Sequence, residues 1–360
     1  MKTYLSTGAA LLLTTSVATA GGLDRGGLPF DILYADTGAE GAYIELSYGL
    51  VKPSVSGTFS FAPLESGNVG VDYGTMTLGF KGEINDQLSV ALLMNEPYGA
   101  DVAYDETDPG YPIAGSVGAF NSRGIAAMAR YKLNDNMSVH AGIRSVTIDA
   151  DITVVDPGGT YDAQYDADTA TGYILGAAYE KPEIALRVAL TYTSELEFSH
   201  VTHVTGVPDA AVAPTEYTMP QTLTLDFQSG VAANTLVFGQ VRYSENSAIN
   251  IDSAFYPANP LIGFDDDSIS YKIGVGRRFT DELAGSISIS YEKANGGEAS
   301  NLAPTDGSIG IQIGGSYDMG NGMEISGGVG YTMVGDADTS IASFSDNSAI
   351  GVGVKVGYSF

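Results

Sequence analysis

The sequence predicts an all-β protein: a transmembrane antiparallel up-and-down β-barrel of about 14 strands. Three observations lead to this fold class. They are an export signal at the N-terminus, strands that alternate apolar with small polar residues, and turn-forming clusters at a nearly constant spacing. The composition agrees, because the 360 residues include 46 glycines and 22 tyrosines but no cysteine and no tryptophan.

Residues 1–20 have the features of a secretory signal peptide. Lys2 gives a positive start, residues 9–17 form a short apolar run, and Ala18-Thr19-Ala20 matches a small-residue cleavage pattern. We therefore expect cleavage after Ala20, a short N-terminal segment over residues 21–41, and a barrel over residues 42–360. The chain has no other run of the ~20 apolar residues that a membrane-spanning helix needs, which argues against an inner-membrane helical protein.

Turn-forming stretches rich in Asn, Asp, Gly and Pro divide the rest of the chain at intervals of about 40 to 50 residues. This spacing is too long for the hairpins of a soluble sandwich, where turns come every ~8–12 residues, and it fits two long strands with a loop between them. The turns are residues 84–87, 133–136, 180–183, 229–234, 280–282 and 318–322. The longer loops are residues 62–68, 105–116, 151–161, 199–215, 252–266, 295–304 and 335–345. Tight turns at one end and longer loops at the other are typical of bacterial outer-membrane barrels.

The last ten residues show how the two faces of a strand differ. Val352, Val354, Val356, Tyr358 and Phe360 alternate with glycine, lysine and serine, so all the large apolar side chains lie on one face. We assign that face to lipid and the small polar face to the lumen, because tyrosines gather near strand ends as in the aromatic girdles of membrane barrels. This strand is expected to pair with the first and close the barrel. Its terminal aromatic also resembles the signal that the outer-membrane assembly machinery recognises.

The formal charge of −27 excludes some classes of function. A nucleic-acid-binding protein needs a basic face, so nucleic acid is not an expected partner. Catalysis is not expected either, since the chain has three histidines and no recognisable nucleophile motif, and no cofactor is predicted. The expected surroundings are outer-membrane lipid and lipopolysaccharide, at the bacterial cell outer membrane.

Two polar motifs could be taken for metal sites. His200 and His203 lie three residues apart, so on a strand they point to opposite faces and cannot chelate one ion. The run Asp265-Asp266-Asp267 could bind a cation or form an ordinary solvated loop. We predict no metal site from either motif.

Three stretches carry a resemblance to a known family. Residues 84–90 form a turn and strand that lead into Asn95-Glu96-Pro97-Tyr98-Gly99, Met219-Pro220 opens a strand that ends near Gly230, and the final hairpins end at Phe360. In these stretches, and in pattern over most of residues 41–360, the sequence resembles the FadL-type family (OmpP1/FadL/TodX-like), the outer-membrane transporters of long-chain fatty acids and aromatic hydrocarbons.

The resemblance implies a barrel whose third strand is kinked at Asn95, Pro97, Tyr98 and Gly99, where the wall opens sideways. Cargo would enter from outside, pass into the lumen and leave laterally into the membrane. The residues fit such a kink, because Pro97 lacks an N–H for the ladder and Gly99 tolerates a bulge. The alternative is an ordinary strand that ends near Asn95. The resemblance also implies that residues 21–41 form a small N-terminal plug segment inside the barrel. This segment is shorter than the plug of the family and lacks its Asn-Pro-Ala motif, and the short outer loops predict a reduced external groove.

A fatty-acid cargo would need a cation near its carboxylate, because an unpaired buried charge is costly. Among the basic residues that alternation directs to the lumen, we select three candidates for this contact: Arg187, Lys272 and Lys355. The alternative is that they only pair with lumen acids such as Glu45, Asp226, Glu292 and Glu324.

The function predicted from the sequence is outer-membrane transport of hydrophobic compounds, either long-chain fatty acids or hydrocarbons. The alternative is a general diffusion porin for small hydrophilic solutes, or a mainly structural barrel. A porin would have an open, water-filled lumen that conducts ions.

Overall fold

The structure, a computed structural model, describes residues 23–257 and 260–360. The predicted signal peptide lies outside these residues. Within them, fourteen long strands form the wall. They are β1 (Ala42–Ser54), β2 (Tyr73–Glu83), β3 (Leu88–Asn95, resuming as Gly99–Ala103), β4 (Val117–Lys132), β5 (Met137–Asp156), β6 (Gly159–Lys181), β7 (Leu186–Thr193), β8 (Thr222–Ala232), β9 (Thr235–Ser244), β10 (Ser268–Arg278), β11 (Leu283–Glu292), β12 (Ser308–Asp318), β13 (Met323–Val334) and β14 (Asn347–Ser359).

Each strand pairs antiparallel with its neighbours in the chain, and β14 pairs with β1, so the sheet closes. The closing ladder runs from Tyr43 opposite Ser359 to Ser54 opposite Ser348. The chain end is held at the same seam, since Phe360 donates its N–H to the carbonyl oxygen of Ala42 at 2.9 Å. Closure satisfies the backbone groups that an open edge would leave exposed to lipid. The predicted fold class, with its up-and-down connectivity, is confirmed.

The two faces of the strands differ as the alternation predicts. On β14, Val352 and Val354 are 46% and 47% exposed on the outer surface, whereas Lys355 is 8% exposed and faces the lumen. The outer surfaces of the other strands likewise carry exposed Ile, Leu, Val, Met and Tyr. An apolar outer band with a polar inner face is the arrangement that lipid requires.

The turns and loops lie at opposite ends of the barrel. The six predicted turns each join two consecutive strands at the end that holds both termini of the barrel. Four of them are closed by a hydrogen bond of 2.8 Å from a backbone N–H to the carbonyl oxygen four residues later. In the first turn, for example, Ile84 donates its N–H to the carbonyl oxygen of Leu88. The predicted loop over residues 151–161 is wrong, because β5 and β6 contain 20 and 23 residues and turn only at residues 157–158. The inner face of this tall hairpin is apolar, and packing against the other loops keeps it extended.

Short elements complete the outer end. The strands there are Gly57–Phe59, Leu196–His200, Thr202–Val204, Thr215–Met219, Asn250–Ile251, Ile262–Gly263, Glu298–Ala299, Ala337–Thr339 and Ala342–Phe344. The 3-10 helices of the described residues are Phe30–Tyr34, Pro182–Ile184, Asp209–Ala211 and Asn246–Ala248. Across the described ranges, none of the helices has the length and apolar character needed to cross a membrane.

Candidate functional site

The N-terminal segment, residues 23–41, lies against the inner wall. Its helix buries Phe30, Ile32, Leu33 and Tyr34. These side chains form one apolar cluster with inward-facing residues of the wall: Tyr43, Ala91, Leu93, Ala126, Met128, Ile174, Ala178 and Ala189. The small alanines of the wall leave room for the large side chains of the segment.

Polar side chains of the wall bind the backbone of this segment. Lys81 donates to the carbonyl oxygen of Ala35 at 2.6 Å, and Asn95 donates to that of Gly27 at 3.1 Å. These bonds satisfy carbonyl groups that no regular secondary structure pairs. They hold the segment in one position in the lumen.

The third strand is interrupted beside β2. β3 stops at Asn95 and resumes at Gly99, and its ladder with β2 ends where Leu78 faces Met94. Beyond this point, Tyr73–Thr77 of β2 continue to pair with β1, but within the described residues they have no ladder partner on the β3 side. The wall therefore has a gap between β2 and β3, and the four residues predicted to form the kink lie at it.

Residues 23–25, here called the strap, occupy the β3 side of this gap. Gly99 donates its N–H to the carbonyl oxygen of Leu23 at 2.7 Å, and Arg25 donates to that of Pro97 at 2.9 Å. Asp24 and Tyr98 thus face each other in an antiparallel bridge. The strap takes the place that β2 would hold in an unbroken ladder.

Arg25 fills the space between the two edges of the gap. Its guanidinium forms an ion pair with Asp101 and lies 4.3 Å from the centre of the Tyr73 ring. A Cβ atom on residue 99 would collide with this guanidinium, so a larger residue at this position would force Arg25 to move. Asp24 forms an ion pair with Arg242 of β9, which ties the strap to the opposite wall as well.

The three candidate head-group cations lie around the N-terminal helix. Lys355 forms an ion pair with Glu45 at 3.5 Å. This is the pairing with a lumen acid that was the alternative to a head-group role. The guanidinium of Arg187 lies 4.3 Å from the centre of the Tyr34 ring. Lys272 makes no hydrogen bond or ion pair with any described residue. The carboxylates nearest to it are those of Asp31 and Asp226.

The outer loops enclose a cavity of about 740 Å³, where the sequence predicted a reduced groove. Tyr104, Ile249, Leu261 and Leu302 are buried in its wall. Tyr104 donates from Oη to the carbonyl oxygen of Asn301 at 2.7 Å, and burial raises the pKa of this phenol well above its ordinary value. Tyr104 is therefore uncharged in the cavity wall.

The two histidines of the His200–His203 pair have different surroundings. His200 is buried, stacks on Tyr217 and lies 2.8 Å from its hydroxyl through Nε2. His203 is exposed and contacts Asp209 at 3.1 Å and Asp166 at 3.2 Å. Hydrogen bonds to Asp209 and then to Asp166 raise the pKa of His203. The described residues contain no group of three or more His, Cys, Asp or Glu placed to hold a metal ion.

The three aspartates of the run Asp265-Asp266-Asp267 also have different surroundings. Asp265 and Asp266 are exposed, whereas Asp267 accepts hydrogen bonds from Tyr243 and Ser247, both at 2.6 Å. Partial burial raises the pKa of Asp267, but these hydrogen bonds outweigh it and hold that pKa below its usual value.

Sequence patterns gave no signal for the strap, its ion pairs or the outer cavity. Arg25 and Asp101 are 76 positions apart, and neither belongs to a motif. Gly99 was the one residue that could have indicated the strap, because glycine is often found where another group approaches the backbone closely.

Residues 35–244, more than half of the chain, match the family described as outer membrane protein transport protein (OMPP1/FadL/TodX). The chain belongs to this family. As a member of the OMPP1/FadL/TodX family, it is an outer-membrane channel for hydrophobic compounds and not an enzyme. The predicted family and location are confirmed.

Solved structures show the family fold over nearly the whole chain. A Pseudomonas aeruginosa FadL homologue aligns with a TM-score of 0.75 at 11% identity, over 96% of each chain. The Pseudomonas putida toluene transporter TodX aligns at 0.65 and 13%, over 96% of this chain and 97% of its own. The Ralstonia pickettii toluene transporter TbuX aligns at 0.64 and 13%, with the same coverage. No curated protein matches the chain by sequence.

Proposed function

We propose that this channel takes hydrophobic compounds from the outside through the lumen and releases them sideways into the membrane between β2 and β3. The observation that carries the proposal is the gap beside Tyr73–Thr77, where the ladder stops although both strands continue. A hydrophobic molecule that leaves there enters lipid without crossing the polar end of the barrel. The strap would act as the gate, because it covers the gap through bonds that can break without unfolding the wall.

The charges of the lumen favour a neutral cargo over a carboxylate. Around the N-terminal helix, Arg187, Lys272 and Lys355 interact with four carboxylates, those of Asp31, Glu45, Asp226 and Glu324, and Arg278 is a fourth cation near Glu324. Because the four cations already balance the four carboxylates, a fatty-acid anion would add an uncompensated buried negative charge, which is costly. A hydrocarbon adds none. Two proteins with this fold are toluene transporters, which supports the same choice.

A head-group role for Arg187, Lys272 and Lys355 stays a prediction. Lys272 is the strongest of the three, since it has no direct partner within the described residues. If a fatty acid is a cargo, Lys272→Met should weaken its binding much more than it weakens the binding of a hydrocarbon of equal length.

The side chains that fill the lumen argue against the porin alternative. An outer apolar cluster, which includes Tyr98, Phe120, Phe198 and Tyr217, fills the outer part of the barrel, and the N-terminal segment fills the inner part. We propose that this segment acts as a plug. A steady ion conductance from the purified channel would support the porin function instead.

We also propose that Phe360 is recognised during assembly. Its ring contacts Tyr358 at 4.7 Å between centroids and is 43% exposed at the barrel seam, where another protein can reach it. The acidic outer loops would face lipopolysaccharide.

A reversible cross-link tests the lateral route. Asp24 and Tyr98 form a bridge of the non-hydrogen-bonded kind, in which Cα atoms are about 4.5 Å apart, a separation that a disulfide can span. The double variant Asp24→Cys with Tyr98→Cys has no other cysteine to compete with. When it is oxidised, uptake of a labelled aromatic hydrocarbon across the outer membrane should fall to background, and a reductant should restore it.

The two single cysteine variants are the matched controls, because they lose the same side chains without a link. Their uptake should not respond to oxidation. Full uptake by the oxidised double variant would mean that cargo does not pass the strap, and the lateral route would be abandoned.

A further inference from the structure

A small acidic pocket adjoins the outer cavity. It holds about 50 Å³ and shares five lining residues with the cavity: Gly263, Phe264, Asp265, Glu298 and Ala299. Among the described residues that line either space, five are Asp or Glu and none is Lys, Arg or His. One connected space therefore combines apolar walls with a group of negative charges.

The second observation is the state of Glu292, at the outer end of β11. Its side chain lines the small pocket and is only 6% exposed. Within the described residues it has no hydrogen bond and no ion pair. The charged groups near it are Asp24, Arg242 and Asp306, and Arg242 is already paired with Asp24. A carboxylate that is this buried and has no protein partner takes its partner from what fills the pocket, either water or a ligand.

An organic ammonium group satisfies this arrangement better than a metal ion does. A metal ion requires several carboxylates that converge on one point, and no group of three or more is so placed among the described residues. An ammonium needs only one or two acceptors at hydrogen-bond distance. The volume of the small pocket suits such a head group, and the adjoining cavity of about 740 Å³ offers the side chains of Leu261, Leu302 and Phe264 to its hydrocarbon part.

We propose that the outer cavity is a binding site for hydrophobic amines, with the ammonium at Glu292 and the hydrocarbon chain against the cavity wall. The inference rests on the proposed function in one respect, namely that cargo enters the channel from the outside, where this cavity lies. It adds a class of ligand, since a cationic amphiphile binds there more tightly than a neutral one. A carboxylate of equal length is excluded.

Three probes of equal length and different charge test the site: hexylamine, 1-hexanol and hexanoate. Phe264→Trp introduces the sole tryptophan of the chain, and its emission reports binding to the channel in lipid nanodiscs. We expect hexylamine to bind about tenfold more tightly than hexanol at low salt, and hexanoate not to bind. Glu292→Gln should remove most of this preference, whereas Glu197→Gln, at an exposed glutamate of the outer end, should leave it intact.

Equilibrium dialysis of labelled hexylamine against the wild-type channel gives a second measurement that does not depend on the reporter. Equal affinity for amine and alcohol, or an amine preference that survives Glu292→Gln, would overturn the inference. Displacement of hexylamine by micromolar Ca²⁺ at constant ionic strength would also overturn it and assign the pocket to an inorganic cation. Hydrocarbon uptake tests the proposed function separately. If amine binding is lost but uptake is normal, transport and the lateral route both stand.

Discussion

Replacement of Arg25 by methionine should open the strap. The guanidinium and its partner Asp101 are 9% and 22% exposed, so the carboxylate would be left largely buried without a counter-charge in the closed state. Loss of a charged hydrogen bond costs about 1.5–3 kcal/mol, and partial exposure of Asp101 keeps the value toward the lower end. A loss of about 2 kcal/mol raises the open population roughly 30-fold.

Hydrogen exchange measures this opening directly. The amide of Gly99 is bonded to the carbonyl oxygen of Leu23 in the closed strap, so it exchanges only when the strap leaves. In Arg25→Met, this amide should exchange roughly 30-fold faster. The control is Lys52→Met, because Lys52 and Asp72 form an exposed ion pair at 3.0 Å, and such pairs contribute little.

A substitution at Gly99 gives an internal check. Gly99→Ala places a methyl group against the guanidinium of Arg25, and it should also speed the opening. In the Arg25→Met background, the same substitution should have little further effect, since the colliding group is gone. Unchanged exchange in Arg25→Met, or an equal rise in Lys52→Met, would refute the assignment of Arg25 as the closing contact.

A histidine, an ion pair of the lumen and the C-terminal ring each give a further prediction. The pKa of His203 is raised in the folded state, so its stabilising contribution is complete below about pH 6 and is lost as the pH rises through the raised pKa. Hydrogen exchange over residues 200–212, corrected for the intrinsic rise of amide exchange with pH, should therefore speed up as the pH rises through that pKa. Lys355→Met leaves the buried carboxylate of Glu45 unpaired and should lower the free energy of unfolding in urea by about 3 kcal/mol. Phe360→Ala removes a ring contact worth about 1 kcal/mol, so the purified barrel should change little while the amount of assembled barrel in cells falls clearly.

Each of these has its own control. His203→Gln should remove the pH dependence, and its persistence would assign it to another group. Lys355→Met combined with Glu45→Leu should recover most of the lost stability, whereas a single variant as stable as the wild type would show that the pair contributes nothing. A normal yield of Phe360→Ala barrels in cells would count against recognition of the terminal ring.

The sequence alone determined the barrel. Alternation of apolar and small residues defines both the strand and its lipid face, because side chains on a strand have a period of two. Turn residues at regular intervals set the strand count, and the six turns lie where Asn, Asp, Gly and Pro gather. The break in β3 was also visible, since Pro97 lacks a donor for the ladder. These features are local, so one stretch of chain carries all the information.

Only the tertiary structure decided which segments fill the barrel and cover the gap in its wall. The strap meets β3 across more than 70 positions of sequence, and the outer cavity is built from loops that follow β3, β9 and β11. The outer part of the tall hairpin of β5 and β6, residues 151–161, was predicted as a loop, because its Asp, Pro and Gly residues are typical of loops and its partner surface is distant in sequence. The pairing of Lys355 with Glu45, and the absence of a direct partner for Lys272 among the described residues, could not be predicted for the same reason. Alternation shows that a side chain enters the lumen, but which groups meet there depends on barrel closure.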